Sequence, residues 1–162
     1  MNRRSKAHGV LLVVGLTVSV IAGCATMSGS QMSMSPADAV AYRQRIMKLN
    51  GAAWTDVQAK AKAGNIEGIA VDAELMAVNA ERIPGLFPKG TLTDKSKAKP
   101  DVWEKWADFE QAAKKFQAES EKLRDAAKSK NAQLTQDIVK DFGRNACGQC
   151  HQPFRVPPPQ RS

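Results

Sequence analysis

Cysteine, histidine and tyrosine are scarce: 162 residues hold three cysteines, one tyrosine and two histidines. Three cysteines cannot build a disulfide scaffold, which needs several pairs in a short chain. Aromatic residues make up only 6%, and runs of β-branched residues are few, whereas Ala, Lys, Glu, Gln and Leu recur. That balance favours helix over sheet. Eleven Gly and eight Pro are too few for a low-complexity chain. Long hydrophobic runs are missing as well. The uncharged stretch from Val10 to Ala22 is roughly 13 residues, shorter than the about 20 needed to cross a bilayer as a helix.

That stretch follows Arg3, Arg4 and Lys6, so residues 1–23 read as a secretory signal. Without these three cations the net charge of +8 becomes +5. Lys and Arg are mixed with Asp and Glu along the chain, and an exported protein rarely meets nucleic acid, which is therefore not expected as a partner. Ile21, Ala22, Gly23 and Cys24 resemble a bacterial lipobox, in which Cys24 is acylated and becomes the new N-terminus. Ala25 stands where lipoproteins kept at the inner membrane carry Asp, which points to the outer membrane. The other reading is ordinary cleavage near Ala25, giving a soluble periplasmic protein. Residues 24–35 are rich in Ser, Met and Gly and read as a flexible tether.

Residues 36–162 read as one all-α domain. Ser35, Pro36 and Asp38 signal a helix start, and Gly64 with Asn65 its end. Ile66 to Ile83 repeats apolar residues every three or four positions, until Pro84 and Gly85 stop it. A connection from Pro84 to Pro100, without strand character, leads to a third helix from Asp101, with Glu104 as its capping-box partner. Trp103, Trp106 and Phe109 read as core and lid residues. A fourth helix carries Leu134, Ile138, Val139, Phe142 and Ala146 up to Cys147. Four such helices fit an antiparallel up-down-up-down bundle.

Cys147, Gly148, Gln149, Cys150 and His151 form a CxxCH segment at the end of an amphipathic helix. This is the c-type haem attachment pattern. Two thiols about one helical turn apart can each add to a vinyl group, and the adjoining imidazole then meets the iron. A structural zinc site takes four protein ligands, whereas the processed chain offers only Cys147, Cys150 and His151. Thiol–disulfide oxidoreductases place CxxC at the start of a helix after a strand, and no such pattern precedes it here.

The tail CxxCHxxFR, Cys147 to Arg155, resembles that of the class II c-type cytochromes, which include cytochrome c prime and its low-spin, methionine-ligated relatives. Tyr42, Arg43, Gln44, Ile46, Met47, Lys48 and Gly51 also resemble that family. So do Leu86, Phe87, Pro88, Gly90 and Thr91, and Pro100, Trp103, Trp106 and Phe109. The resemblance runs from Ser35 to Arg155. It implies a left-handed four-helix bundle with one covalent haem c near one end, and electron transfer as the usual role. It further implies nitric oxide or carbon monoxide binding in the high-spin branch, and frequent homodimers through the first two helices.

His151 is then the proximal axial ligand. An antiparallel bundle puts the start of the first helix beside the end of the fourth, so Met47 lies at the haem end as candidate sixth ligand. The competing reading makes Met47 a core filler beside an open, gas-binding iron. The family places an arginine like Arg43 beside a haem propionate and one like Arg155 near the proximal imidazole. An exposed helix cation and a plain basic tail are the respective alternatives. No catalytic constellation beyond the haem is expected, and an unidentified redox protein is the expected partner.

Overall fold

Ser35 sets the start of the first helix. In the computed structural model, which describes residues 34–158, its hydroxyl oxygen accepts from the Asp38 amide at 3.1 Å, with Pro36 in the first turn. Helix α1 spans Pro36–Lys62. Gly64, at φ +72, ends it as a left-handed cap: the Gly64 amide donates to Ala61 and the Asn65 amide to Lys60. The signal segment 1–23, Cys24 and most of the tether lie outside the described residues.

Helix α2 spans Ile69–Arg82 and so begins three residues later than the apolar repeat suggests. The Asn65 side chain accepts from the Gly68 amide at 3.1 Å, which holds residues 65–68 in turns. A short 3₁₀ turn, Pro84–Leu86, opens the connection. The third predicted helix is broken. Helix α3, Asp101–Glu104, and helix α4, Trp106–Lys128, meet at Lys105, whose φ of −118 and ψ of 49 are not helical. No side chain caps α3, since its N-cap residue Pro100 has no side-chain acceptor; Asp101, inside the helix, accepts from Lys105 Nζ at 2.7 Å. Helix α5 spans Ala132–Phe142, a π turn covers Gly143–Gly148, and helix α6 covers Gln149–Phe154.

Helix α1 packs against α2, α2 against α4, α4 against α5, and α5 against α1, which closes a four-membered ring. Each neighbour pair runs antiparallel. Asn50 meets Asn79 while Lys60 meets Asp72; Gln117 meets Glu81 while Arg124 meets Glu74. Trp54 stacks on Phe142 at 5.0 Å, and Phe116 meets Phe142 edge-on at 6.2 Å. Val57, Ile69, Met76, Leu123 and Phe142 are fully buried along the axis. Leu134, expected on the core stripe, is 42% exposed; Thr135 is the buried residue of that turn, its hydroxyl donating to Asn131 O at 2.8 Å. Lys60 reaches Asp56 at 2.8 Å and Asp72 at 2.6 Å, tying α1 to α2. Such partly exposed pairs are worth about 1 kcal/mol at most.

Candidate functional site

The end of the bundle where α1 starts and α6 finishes holds a cleft of about 500 Å³. Val40, Ile83, Phe87, Val102, Phe109 and Phe154 give it apolar walls, and Met47, Cys150, His151, Arg43 and Arg155 face it together. Antiparallel pairing of α1 with α5, which runs on through the π turn into α6, brings Met47 and His151 to the same cleft, because each helix advances about 1.5 Å per residue towards the other's terminus. Phe109 packs edge-on against Phe87 at 4.8 Å and Phe154 at 5.4 Å. Trp103 caps this cluster by donating its indole N–H to the Phe87 carbonyl at 3.0 Å, as expected of a lid residue.

The CxxCH segment crosses a change of helix type. Cys147 lies in the π turn, and Cys150 and His151 lie in α6. Cys147 is half-buried against the core, Cys150 lines the cleft, and both thiols are free. Burial pushes the Cys150 thiol up to about 11, with the neighbouring Cys147 adding to the rise, and burial also raises Cys147. A redox CxxC needs a stabilised thiolate, so this environment is the opposite of one. His151 is solvent-accessible. Nevertheless, the surrounding protein and then the Arg155 guanidinium hold its pKa below the usual value. The imidazole is thereby kept in the neutral form that ligates metals.

Arg43 is 95% buried, not an exposed helix cation. Nη1 donates to Leu86 O at 3.3 Å and Thr91 Oγ1 at 3.0 Å; Nη2 donates to Thr91 O at 2.7 Å and Ser96 Oγ at 2.9 Å. The guanidinium also stacks 4.6 Å above the Phe87 ring. Burial lowers its pKa, yet arginine stays charged. Every partner is neutral. A buried cation without a carboxylate is a strong demand for a negative group at the cleft. Gly90, at φ +79, makes the turn that presents Thr91 to Arg43.

Sequence reasoning missed the far wall, Ser96, Lys97 and Ala98. Ala98 and Arg155 form an isolated antiparallel bridge: the Lys99 amide donates to Phe154 O at 2.9 Å, and the Val156 amide to Lys97 O at 2.8 Å. The one available signal was the need of a buried Arg43 for acceptors, which Thr91 and Ser96 supply.

Residues 38–155 match the family Cytochrome C'. The chain belongs to the cytochrome c prime family. Cytochrome c-556 from Agrobacterium tumefaciens (strain II Chrys) is 29% identical over 120 residues, 72% of this chain and 96% of the relative. The crystal structure of cytochrome c' from Rubrivivax gelatinosus superposes with a TM-score of 0.66 at 30% identity, over 75% of this chain and 97% of that one. A nitric oxide complex of a cytochrome c prime variant from Alcaligenes xylosoxidans gives 0.68 at 25% identity, over 76% and 97%. Members of the cytochrome c prime family carry covalent haem c, and this chain has the matching thiol spacing at Cys147 and Cys150. The cleft fits that group: apolar walls for a macrocycle, a thioether and an imidazole on its lining, and a cation that lacks a carboxylate.

Proposed function

We propose that this cytochrome is an exported one-electron carrier, with haem c attached to Cys147 and Cys150 and iron ligated by His151 and Met47. Met47 and His151 line one cleft, and this convergence is the main support. When bound, haem supplies an iron that alternates between ferric and ferrous by gaining or losing one electron.

The chain's residues define what that iron can do. His151, kept neutral, offers a ring nitrogen; Met47 offers a soft thioether that favours the ferrous state and raises the potential. Were His151 and Met47 both to hold the iron, exogenous ligands would be excluded and little rearrangement would accompany electron transfer. Arg43 would supply the counter-charge for the haem carboxylates, and Arg155 is near enough to His151 to act on it electrostatically. Phe87, Phe109 and Phe154 make the cleft walls apolar and would keep water from a bound macrocycle.

The second reading, a high-spin iron that takes nitric oxide or carbon monoxide in place of Met47, draws on the nitric oxide complex of the Alcaligenes xylosoxidans relative. Optical spectra decide between them. Met47 ligation gives a low-spin ferrous spectrum and slow carbon monoxide binding, and Met47→Ala becomes high-spin and binds the gas quickly. A wild type that is already high-spin and binds carbon monoxide readily overturns the carrier reading. Export rests on the signal segment 1–23, and outer-membrane anchoring on acylation of Cys24. A homodimer through α1 and α2 is supported by the apolar stripe Val71, Leu75 and Val78, of which Val71 is 73% exposed.

A further inference from the structure

Residues 36–158 hold 20 Lys and Arg and 16 Asp and Glu, a balance of +4. The excess is concentrated at the mouth of the cleft. Lys48, Lys97 and Arg155 line it. Lys99 Nζ donates to Gln152 O at 3.0 Å, one residue past His151, and the Lys95 carbonyl accepts from the cleft residue Gln44 at 3.1 Å. These five cations, set against Asp94 beside Lys95 and Asp101 near Lys99, make the mouth +3, and all other residues in this span apart from the buried Arg43 sum to 0.

The pairing pattern differs in the same way. Away from the mouth, five of the fourteen cations in this span, Lys60, Lys105, Arg124, Lys130 and Arg144, each reach a carboxylate within 3.1 Å. None of the five mouth cations forms an ion pair among the described residues. Unpaired charge of one sign, held on a ladder of backbone hydrogen bonds around the cofactor cleft, steers an oppositely charged surface to that opening. Single-electron exchange needs the partner's redox centre close to the haem, and Cys150 and His151, which would hold it, line this cleft.

We infer that the Lys48–Lys97–Arg155 rim is the docking face for the acidic surface of a redox partner protein. This rests on the electron-carrier reading. The step is the transfer of one electron: the donor is oxidised by one electron, ferric iron becomes ferrous, and no bond forms.

The test uses the haem-loaded protein and flavodoxin hydroquinone, an acidic protein donor, in stopped-flow reduction at about 0.1 M ionic strength. The anionic hydroquinone loses one electron and becomes the neutral semiquinone, with no proton exchanged. Lys97→Glu is compared with Lys122→Glu, which changes net charge equally but lies 13 residues beyond the cleft residue Phe109 on α4, about 20 Å along the axis. Lys97→Glu should slow the second-order rate about fourfold, a loss that salt abolishes, while Lys122→Glu leaves it unchanged because about 10 Å of electrolyte screens it. Equal effects from the two variants, or none from Lys97→Glu, overturn the inference while leaving the carrier reading intact. Failure of every variant to be reduced by any donor overturns both. Lys97-dependent binding to phosphatidylglycerol vesicles, without an effect on reduction, reassigns the rim to the membrane and overturns it too.

Discussion

Replacing Arg43 by Leu removes four hydrogen bonds donated across 43 to 53 residues of sequence. Leu is similar in reach to the arginine stem, so the main loss is polar. The carbonyls of Leu86 and Thr91 lose a charged donor inside the protein. Bonds to a charged donor are worth about 1.5–3 kcal/mol each, but they share one guanidinium and are not additive, which leaves a net loss of about 4 kcal/mol. The 125 described residues imply an unfolding entropy of about 0.26 kcal/mol per kelvin, so Tm falls by about 15 °C. Arg43→Lys keeps the charge, reaches fewer acceptors and should recover only part of the loss. Circular dichroism of the haem-loaded protein gives Tm, and hydrogen exchange should show protection lost at residues 86–96 before the rest of the bundle. A Tm within about 3 °C of wild type would refute Arg43 as the anchor of the connection.

Cys147→Ala combined with Cys150→Ala should release haem into acid acetone, whereas the wild type retains it through denaturing electrophoresis; extractable wild-type haem contradicts covalent attachment. Cys24→Ser should move the protein from membranes to the soluble periplasmic fraction, each buried acyl methylene having contributed about 0.8 kcal/mol; an unacylated N-terminus at Ala25 or Thr26 in the wild type, seen by mass spectrometry, rules the anchor out. Asp101 beside Lys105 and Asp125 beside Arg124 are held below the usual carboxylate range. Their depressed folded pKa values contribute stability that is present above about pH 4 and is lost as pH falls through the folded values. Asp101→Asn with Asp125→Asn should flatten the acid side of the Tm–pH curve, and an unchanged slope shows that neither pair matters.

The helices and the haem segment were legible because each carries a local signal. Ser35 and Pro36 start α1, Gly64 and Asn65 close it, and CxxCH is contiguous. Met47 was placed by topology alone: antiparallel pairing of the first helix with the fourth is enough to put it in one cleft with His151. The breaks were hidden. Nothing local in Glu104–Lys105–Trp106 signals a kink; Trp103, two residues before it, donates to the Phe87 carbonyl in the preceding connection, a contact that exists only after folding. Gly143 and Gly148 bracket the π turn, yet a glycine pair inside an apolar-periodic run reads as ordinary helix. Ser96, Lys97 and Ala98 were invisible as cleft wall, since a connection without periodicity gives no clue to which surface it covers.

The connection between α2 and α3 is fastened on two sides, to α1 through Arg43 and to the end of α6 through the Ala98–Arg155 bridge. It therefore cannot swing aside like a free flap. Exposing the cleft from this side requires the guanidinium contacts and the bridge to break together, which makes access a small cooperative unfolding event instead of a loop fluctuation. Entry of an outside molecule past this wall would then have the steep temperature and denaturant dependence of local unfolding, and substitutions at Thr91 or Ser96, far from the iron ligands in sequence, would set its rate.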